Sequence, residues 1–113
     1  MKKVTAVLKP FMVHAVVEKL VYMNIAEGII NDVRGFGHEK DSIELYRGAE
    51  YRVDFLPKTQ LEIFVLDEQV VSVVNAIQEA AYTGRYGDGK IWIETVYVAI
   101  PPKREMGFLK RFR

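Results

Sequence analysis

Apolar residues in this chain switch from an alternating period to a helical one and back, and after a polar gap the same order returns. Lys2 to Lys9 is rich in Val and Leu and stops at Pro10, which predicts a strand. From Met12 to about Asn24, Val13, Val16, Val17, Leu20 and Val21 recur at helical spacing. Gly28 and the β-branched run Ile29, Ile30 and Val33 predict a second strand, which leads into Gly35-Phe36-Gly37. His38 to Asp54 is polar and turn-prone. Leu61 to Leu66 predicts a third strand, and Val70, Val73, Val74, Ile77, Ala80 and Ala81 mark a second helix. A glycine-rich loop over residues 83–90 precedes a fourth strand, Lys90 to Ile100, closed by Pro101-Pro102.

Two β-α-β halves predict an α+β fold, a ferredoxin-like split βαβ sandwich (βαββαβ) with both helices on one sheet face. The chain of 113 residues is read as a single domain spanning 1–113. A long protruding loop joins the second and third strands. Its roughly seventeen residues are read as a structureless stretch, and such stretches in compact domains are usually functional. The uncovered sheet face is expected to expose Trp92, Tyr97 and several Val and Ile residues, an apolar area that an oligomer would bury.

Composition excludes some classes. There are no cysteines, so disulfides and thiolate metal sites are unavailable. The first residues lack the plan of a signal peptide and no apolar run is long enough to span a bilayer, so a cytoplasmic location is expected. Net charge is only +1, which is no nucleic-acid footprint. The charge is uneven, however. The tail 101–113 carries Lys103, Arg104, Lys110, Arg111 and Arg113 against Glu105, a net +4, while the preceding residues carry −3. Such a tail is either a solvated terminus or a contact for an acidic partner, a membrane surface or a phosphate ligand.

Catalysis would need a nucleophile with a base, a carboxylate pair or a metal cluster. With two histidines in the chain, His14 and Glu18 read as a surface i, i+4 pair, and His38 lies beside Glu39 at the loop root. The chain is therefore read as a non-enzyme. The strand order is shared with RNA-recognition domains, and Phe64 and Trp92 fall on strands, but the Gly-aromatic signature of those domains is missing. No nucleic-acid partner is expected. In Gly84-Arg85-Tyr86-Gly87-Asp88-Gly89-Lys90, glycines allow backbone N–H groups close to phosphate oxygens and Lys90 adds a point charge. By itself that stretch reads either as a phosphate cradle or as a plain helix-to-strand turn.

Several segments together resemble one family. Lys9-Pro10-Phe11, Val33-Arg34-Gly35-Phe36-Gly37, the run Glu44 to Tyr51, Val53-Asp54-Phe55-Leu56-Pro57-Lys58, Thr83-Gly84-Arg85 and Gly87-Asp88-Gly89-Lys90-Ile91 are similar to PII signal-transduction proteins. The similarity runs from Met1 to about Ile100. It implies a homotrimer with adenine nucleotides held between subunits, the preference among ATP, ADP and AMP being open. It puts Gly35, Phe36, Gly37 and His38 at the nucleotide, Phe64 beside the base, and Gly87, Asp88, Gly89 and Lys90 at the phosphates, helped by Lys103 or Arg104. It implies that the T-loop, about 37–55, contacts an ammonium transporter, another membrane transporter or a metabolic enzyme, so that membrane association would come through the partner. Arg47 and Tyr51 are its target-contact and modification positions.

Ligand positions depart from the family pattern. Glu39 stands where glutamine usually helps hold Mg²⁺ and, through it, 2-oxoglutarate, and Asp41 stands where glycine is usual. Glu39 can ligate Mg²⁺, but the two added negative charges oppose the carboxylates of 2-oxoglutarate. Lys58, the family's partner for one of those carboxylates, is retained. Pro101 and Lys103 replace two arginines, and Glu27 and Ile29 replace a glycine and a threonine of the nucleoside pocket. These departures imply weakened 2-oxoglutarate sensing and an altered nucleotide site in a divergent PII-like member.

Overall fold

The structure is a computed structural model and describes residues 1–36, 43–46, 49–52, 55–85, 89–97, 99–100 and 102, with the backbone alone at 43–46 and 49–52. In chain order these residues form β1 (Lys2–Leu8), α1 (Val13–Tyr22), β2 (Ile29–Gly35), β3 (Ile43–Tyr46), β4 (Ala49–Arg52), β5 (Leu56–Val65), α2 (Val70–Ala81) and β6 (Gly89–Thr95). Strands β2, β5, β1 and β6 lie side by side in that order, all neighbours antiparallel. This is the α+β ferredoxin-like arrangement expected from the repeated pattern.

Alternation within the strands assigns the two faces. Val4, Ala6 and Leu8 of β1 and Leu61, Ile63 and Val65 of β5 point under the helices and are buried. Val16 and Leu20 of α1 and Val73 and Ile77 of α2 close the core from above. Both helices begin after a short 3₁₀ turn. At Pro10–Met12 the proline supplies a fixed φ where no intrahelical N–H is needed. At Asp67–Gln69 the Gln69 side chain accepts a bond from the Leu66 N–H at 2.8 Å. Lys19 of α1 bridges to Glu79 of α2, and that hydrogen bond holds the Glu79 carboxyl below its usual range.

The end of α1 is a Schellman motif. Ile25 N–H donates to Leu20 C=O and Asn24 N–H to Val21 C=O, each at 2.9 Å, and Asn24 takes φ +66°. Ile25 packs on the core that contains Leu20. Asparagine tolerates this left-handed conformation better than a residue with an aliphatic Cβ. Asn24→Ala is therefore expected to lower stability by about 1 kcal/mol, and Asn24→Gly to match or exceed the wild type. Urea titration of the two variants checks the order, and an alanine variant as stable as the glycine variant would contradict it.

Two expectations are corrected. The segment between the second and third long strands was expected to be without structure, but it contains the antiparallel pair β3–β4, with Glu44 opposite Tyr51 and Tyr46 opposite Ala49. The pairing follows from the alternating Ile43-Glu44-Leu45-Tyr46 and from the two residues, Arg47 and Gly48, that separate the strands in sequence. On the uncovered sheet face Val7, Ile29, Val33, Phe64 and Trp92 stand as expected, sharing it by register with Lys3, Gln60, Glu62 and Glu94; the second correction is Tyr97, which was expected on that face. Tyr97 lies beyond the end of β6, almost fully exposed.

Candidate functional site

Antiparallel register brings the C-terminal end of β2 and the N-terminal end of β6 to the same end of the sheet. Gly35 of β2 pairs with Leu56 of β5, and Val33 pairs with Lys58. On β6, Gly89 pairs with Leu8 and Lys90 with Val7 of β1. The two glycine-bearing motifs thus lie toward the same end of the sheet, Gly35 three residues beyond the level of Gly89, and occupy opposite edges. Strands β5 and β1 lie between them, a separation of roughly 14 Å at ordinary strand spacing. A single copy keeps the two motifs apart.

Each motif has a local reason for its shape. A Cβ on Gly35 would sit 3.4 Å from Lys58 Cγ, an ordinary contact, so the lysine stem lies alongside the Gly35 backbone. Lys58 is 6% exposed, an unusual burial for an ammonium-bearing chain. Just beyond, the rings of Phe36 and Phe55 meet at 6.4 Å between centroids, tilted by 55°. Phe55 has φ +61°. Register and ring contact together close a stem beneath the segment 37–54. At the other edge Gly89 has φ +139°, and a Cβ there would lie 2.2 Å from the Val7 carbonyl oxygen. Glycine is what allows the chain to enter β6 against β1. Arg85 N–H donates to Thr83 Oγ1 at 3.2 Å and shapes the turn after α2.

The helices cover the middle strands and leave both edges open on the helix side. Beside β6, a groove of about 350 Å³ is lined by Val74, Gln78, Tyr82, Lys90, Ile91 and Ile93, among others. Beside β2, an apolar groove of about 220 Å³ runs between α1 and the strand, with Glu27 and Gly28 in its lining. Phe64 belongs to neither motif end. It pairs with Lys3, six residues along β5 from Lys58 and so about 20 Å away. Ile29 is directly opposite Glu62. Edge β2 therefore spans from the Phe64–Ile29 region to Gly35.

The structure thus brings Gly35, Phe36 and Lys58 together on one side and places Gly89 and Lys90 on the other. Gly37, His38, Glu39, Gly87, Asp88, Lys103 and Arg104 lie outside the described residues, as does the basic tail 103–113. For Arg47 the same holds, and Tyr51 is described by its backbone alone. Among the described residues no three His, Asp or Glu side chains converge as metal ligands. The aromatic stem Phe36–Phe55 was not read from the sequence. Its only signal was an aromatic residue at each end of the polar stretch.

Known proteins supply an independent comparison. Residues 1–101 match the family model described as nitrogen regulatory protein P-II. The chain is 52% identical over 96 residues to the nitrogen regulatory protein P-II of Pasteurella multocida, covering 85% of this chain and 86% of that one. It is 52% identical over 100 residues to that of Haemophilus influenzae, covering 88% and 89%. Nitrogen regulatory protein GlnK of Escherichia coli matches at 45% over 93 residues, covering 82% and 83%. With its sheet order, its paired glycine motifs and a family match over nearly its whole length, the chain belongs to the nitrogen regulatory protein P-II family.

Proposed function

We propose that this protein is a nitrogen-signalling regulator that binds adenine nucleotide between copies of itself and acts on target proteins through the segment 37–55. The family is one of regulatory proteins, not of enzymes. The observation that carries the nucleotide reading is the division of the site. Gly35–Phe36 and Gly89–Lys90 share one end of the sheet but sit on opposite edges. Apposing β2 of one copy to β6 of the next joins the halves into one cleft, and a ring of three copies does this three times. The uncovered sheet face then turns toward the other copies.

In this reading Gly87, Asp88, Gly89 and Lys90 hold phosphates, Gly35 to His38 meet them from the neighbouring edge, and Phe64 lies beside the base. Lys103 or Arg104 adds positive charge. The stem at Phe36 and Phe55 connects ligand to target, because a ligand at Gly37 touches the root of the contact segment and selects among its conformations. An ammonium transporter or another membrane transporter is the partner class, with Arg47 as a long cation suited to a narrow polar channel. Titration calorimetry with ATP, ADP and AMP, each with and without Mg²⁺, tests the reading. Heat from at least one nucleotide is expected, and silence from all three at millimolar ligand would refute nucleotide sensing.

A second reading within the family concerns 2-oxoglutarate. By the family resemblance, Glu39 and Asp41 stand at positions near a 2-oxoglutarate held by Lys58, and their negative charges would oppose a dicarboxylate. We expect 2-oxoglutarate to add little to Mg-ATP binding in the wild type and to bind measurably better in Glu39→Gln. Tight 2-oxoglutarate binding by the wild type would instead make the chain an ordinary carbon-and-nitrogen sensor.

A further inference from the structure

The uncovered sheet face is electrically lopsided along its strands. Where β1 begins, Lys3 Nζ lies 3.3 Å from Glu62 Oε2 and 3.5 Å from Glu94 Oε1, so one ammonium serves two carboxylates. Lys58 and Lys90 belong to the far end. The same Glu94 oxygen accepts a bond from Trp92 Nε1 at 3.1 Å, and Glu62 Oε1 accepts one from Gln60 Nε2 at 3.1 Å. These bonds fix both carboxylates on the face. Thr5, between Glu62 and Trp92 in register, is 1% exposed, so even the backbone-proximal layer of this polar cluster is shielded from water. The hydrogen bond to Glu62, with added attraction from Glu94, raises the Lys3 pKa above its usual value, in keeping with that geometry.

In a closed ring, equivalent residues lie at one height along the axis. In the trimer reading, where copies meet on this face, three Lys3, three Glu62 and three Glu94 stand at one level along the axis. We propose that Glu94 acts as an electrostatic brake on assembly, since with it each copy brings two carboxylates and only one ammonium, that of Lys3, to the seam. The proposal rests on the trimer reading above. Like charges brought together as water is excluded repel more strongly than at a free surface. The brake makes assembly respond to ionic strength, because salt screens the repulsion.

Fluorescence of Trp92, the single tryptophan of the chain, together with sedimentation velocity over a dilution series of the full chain, measures the concentration at which copies separate. At low salt, Glu94→Gln is expected to move that midpoint to a concentration lower by about tenfold or more. Glutamine keeps an oxygen for the Trp92 N–H. High salt is expected to shift the wild type in the same direction and the variant much less. A trimeric wild type whose midpoint ignores salt, or a variant that assembles no better than wild type, overturns the brake. A wild type that sediments as a monomer at every concentration and salt overturns the trimer reading instead. The salt series on the wild type needs no substitution, so a poorly folding variant leaves the proposal open to refutation.

Discussion

Gly89→Ala is expected to leave little folded protein. The added Cβ would stand 2.2 Å from the Val7 carbonyl oxygen, a backbone atom in a strand paired on both sides. Neither atom can swing away as the tip of a flexible side chain would. The φ of +139° adds conformational strain that only glycine escapes. Together these place the loss above roughly 3 kcal/mol, a large share of the 5–15 kcal/mol that holds a small domain. Gly28→Ala is the control. Its Cβ meets the Ile63 Cγ2 methyl at 2.8 Å and the Glu62 carbonyl oxygen at 3.1 Å without a positive φ. It should cost less, since its nearest contact is a side-chain methyl at 2.8 Å rather than a backbone oxygen at 2.2 Å and no positive φ adds strain. Urea unfolding of both variants decides the matter, and a Gly89 variant within about 0.5 kcal/mol of wild type would show that β6 can shift its entry.

Lys90→Ala should separate binding from folding. Lys90 is exposed on an edge strand, so its removal is expected to leave the melting temperature nearly unchanged. Charge-assisted hydrogen bonds to phosphate are worth about 1.5–3 kcal/mol, and affinity for ATP should fall roughly 10- to 150-fold. Calorimetry beside thermal denaturation reads the two quantities independently. Unchanged ATP affinity would remove Lys90 from the phosphate site and leave the glycine stretch as the helix-to-strand turn that it also resembles.

Much of the fold was legible because burial sets the periods. Val4, Ala6 and Leu8 alternate because only one face of β1 meets helices, and Val73 and Ile77 fall four apart because one face of α2 meets the sheet. The beginning of β5 was not legible. Its sequence Leu56-Pro57-Lys58-Thr59-Gln60 is polar and contains proline, which argues against a strand interior. The structure resolves the conflict through register. Pairing with β1 starts at Thr59, so Leu56 to Lys58 pair only with β2, and Pro57 needs no N–H for a second neighbour. The last strand was read as running to Ile100 but ends at Thr95; one further bond, from Val96 N–H to the Met1 carbonyl, ties the exit of β6 to the start of β1. The division of the candidate site could not be read from spacing, because separation across a sheet depends on strand order rather than on distance along the chain.

The stem formed by the Gly35–Leu56 pairing and the Phe36–Phe55 rings has a further consequence for how this protein can change over generations. A segment whose two ends are already clasped is closed in the thermodynamic sense, whatever lies between. Loop-closure entropy grows only with the logarithm of length, so doubling the intervening segment would cost about 0.6 kcal/mol. Insertions, deletions and new side chains between residues 37 and 54 thus draw little on the stability of the helix-covered core. Under the proposed function, natural variation can rewrite the surface offered to targets while the sheet that would read the nucleotide stays fixed, so that one body can acquire new clients without being rebuilt.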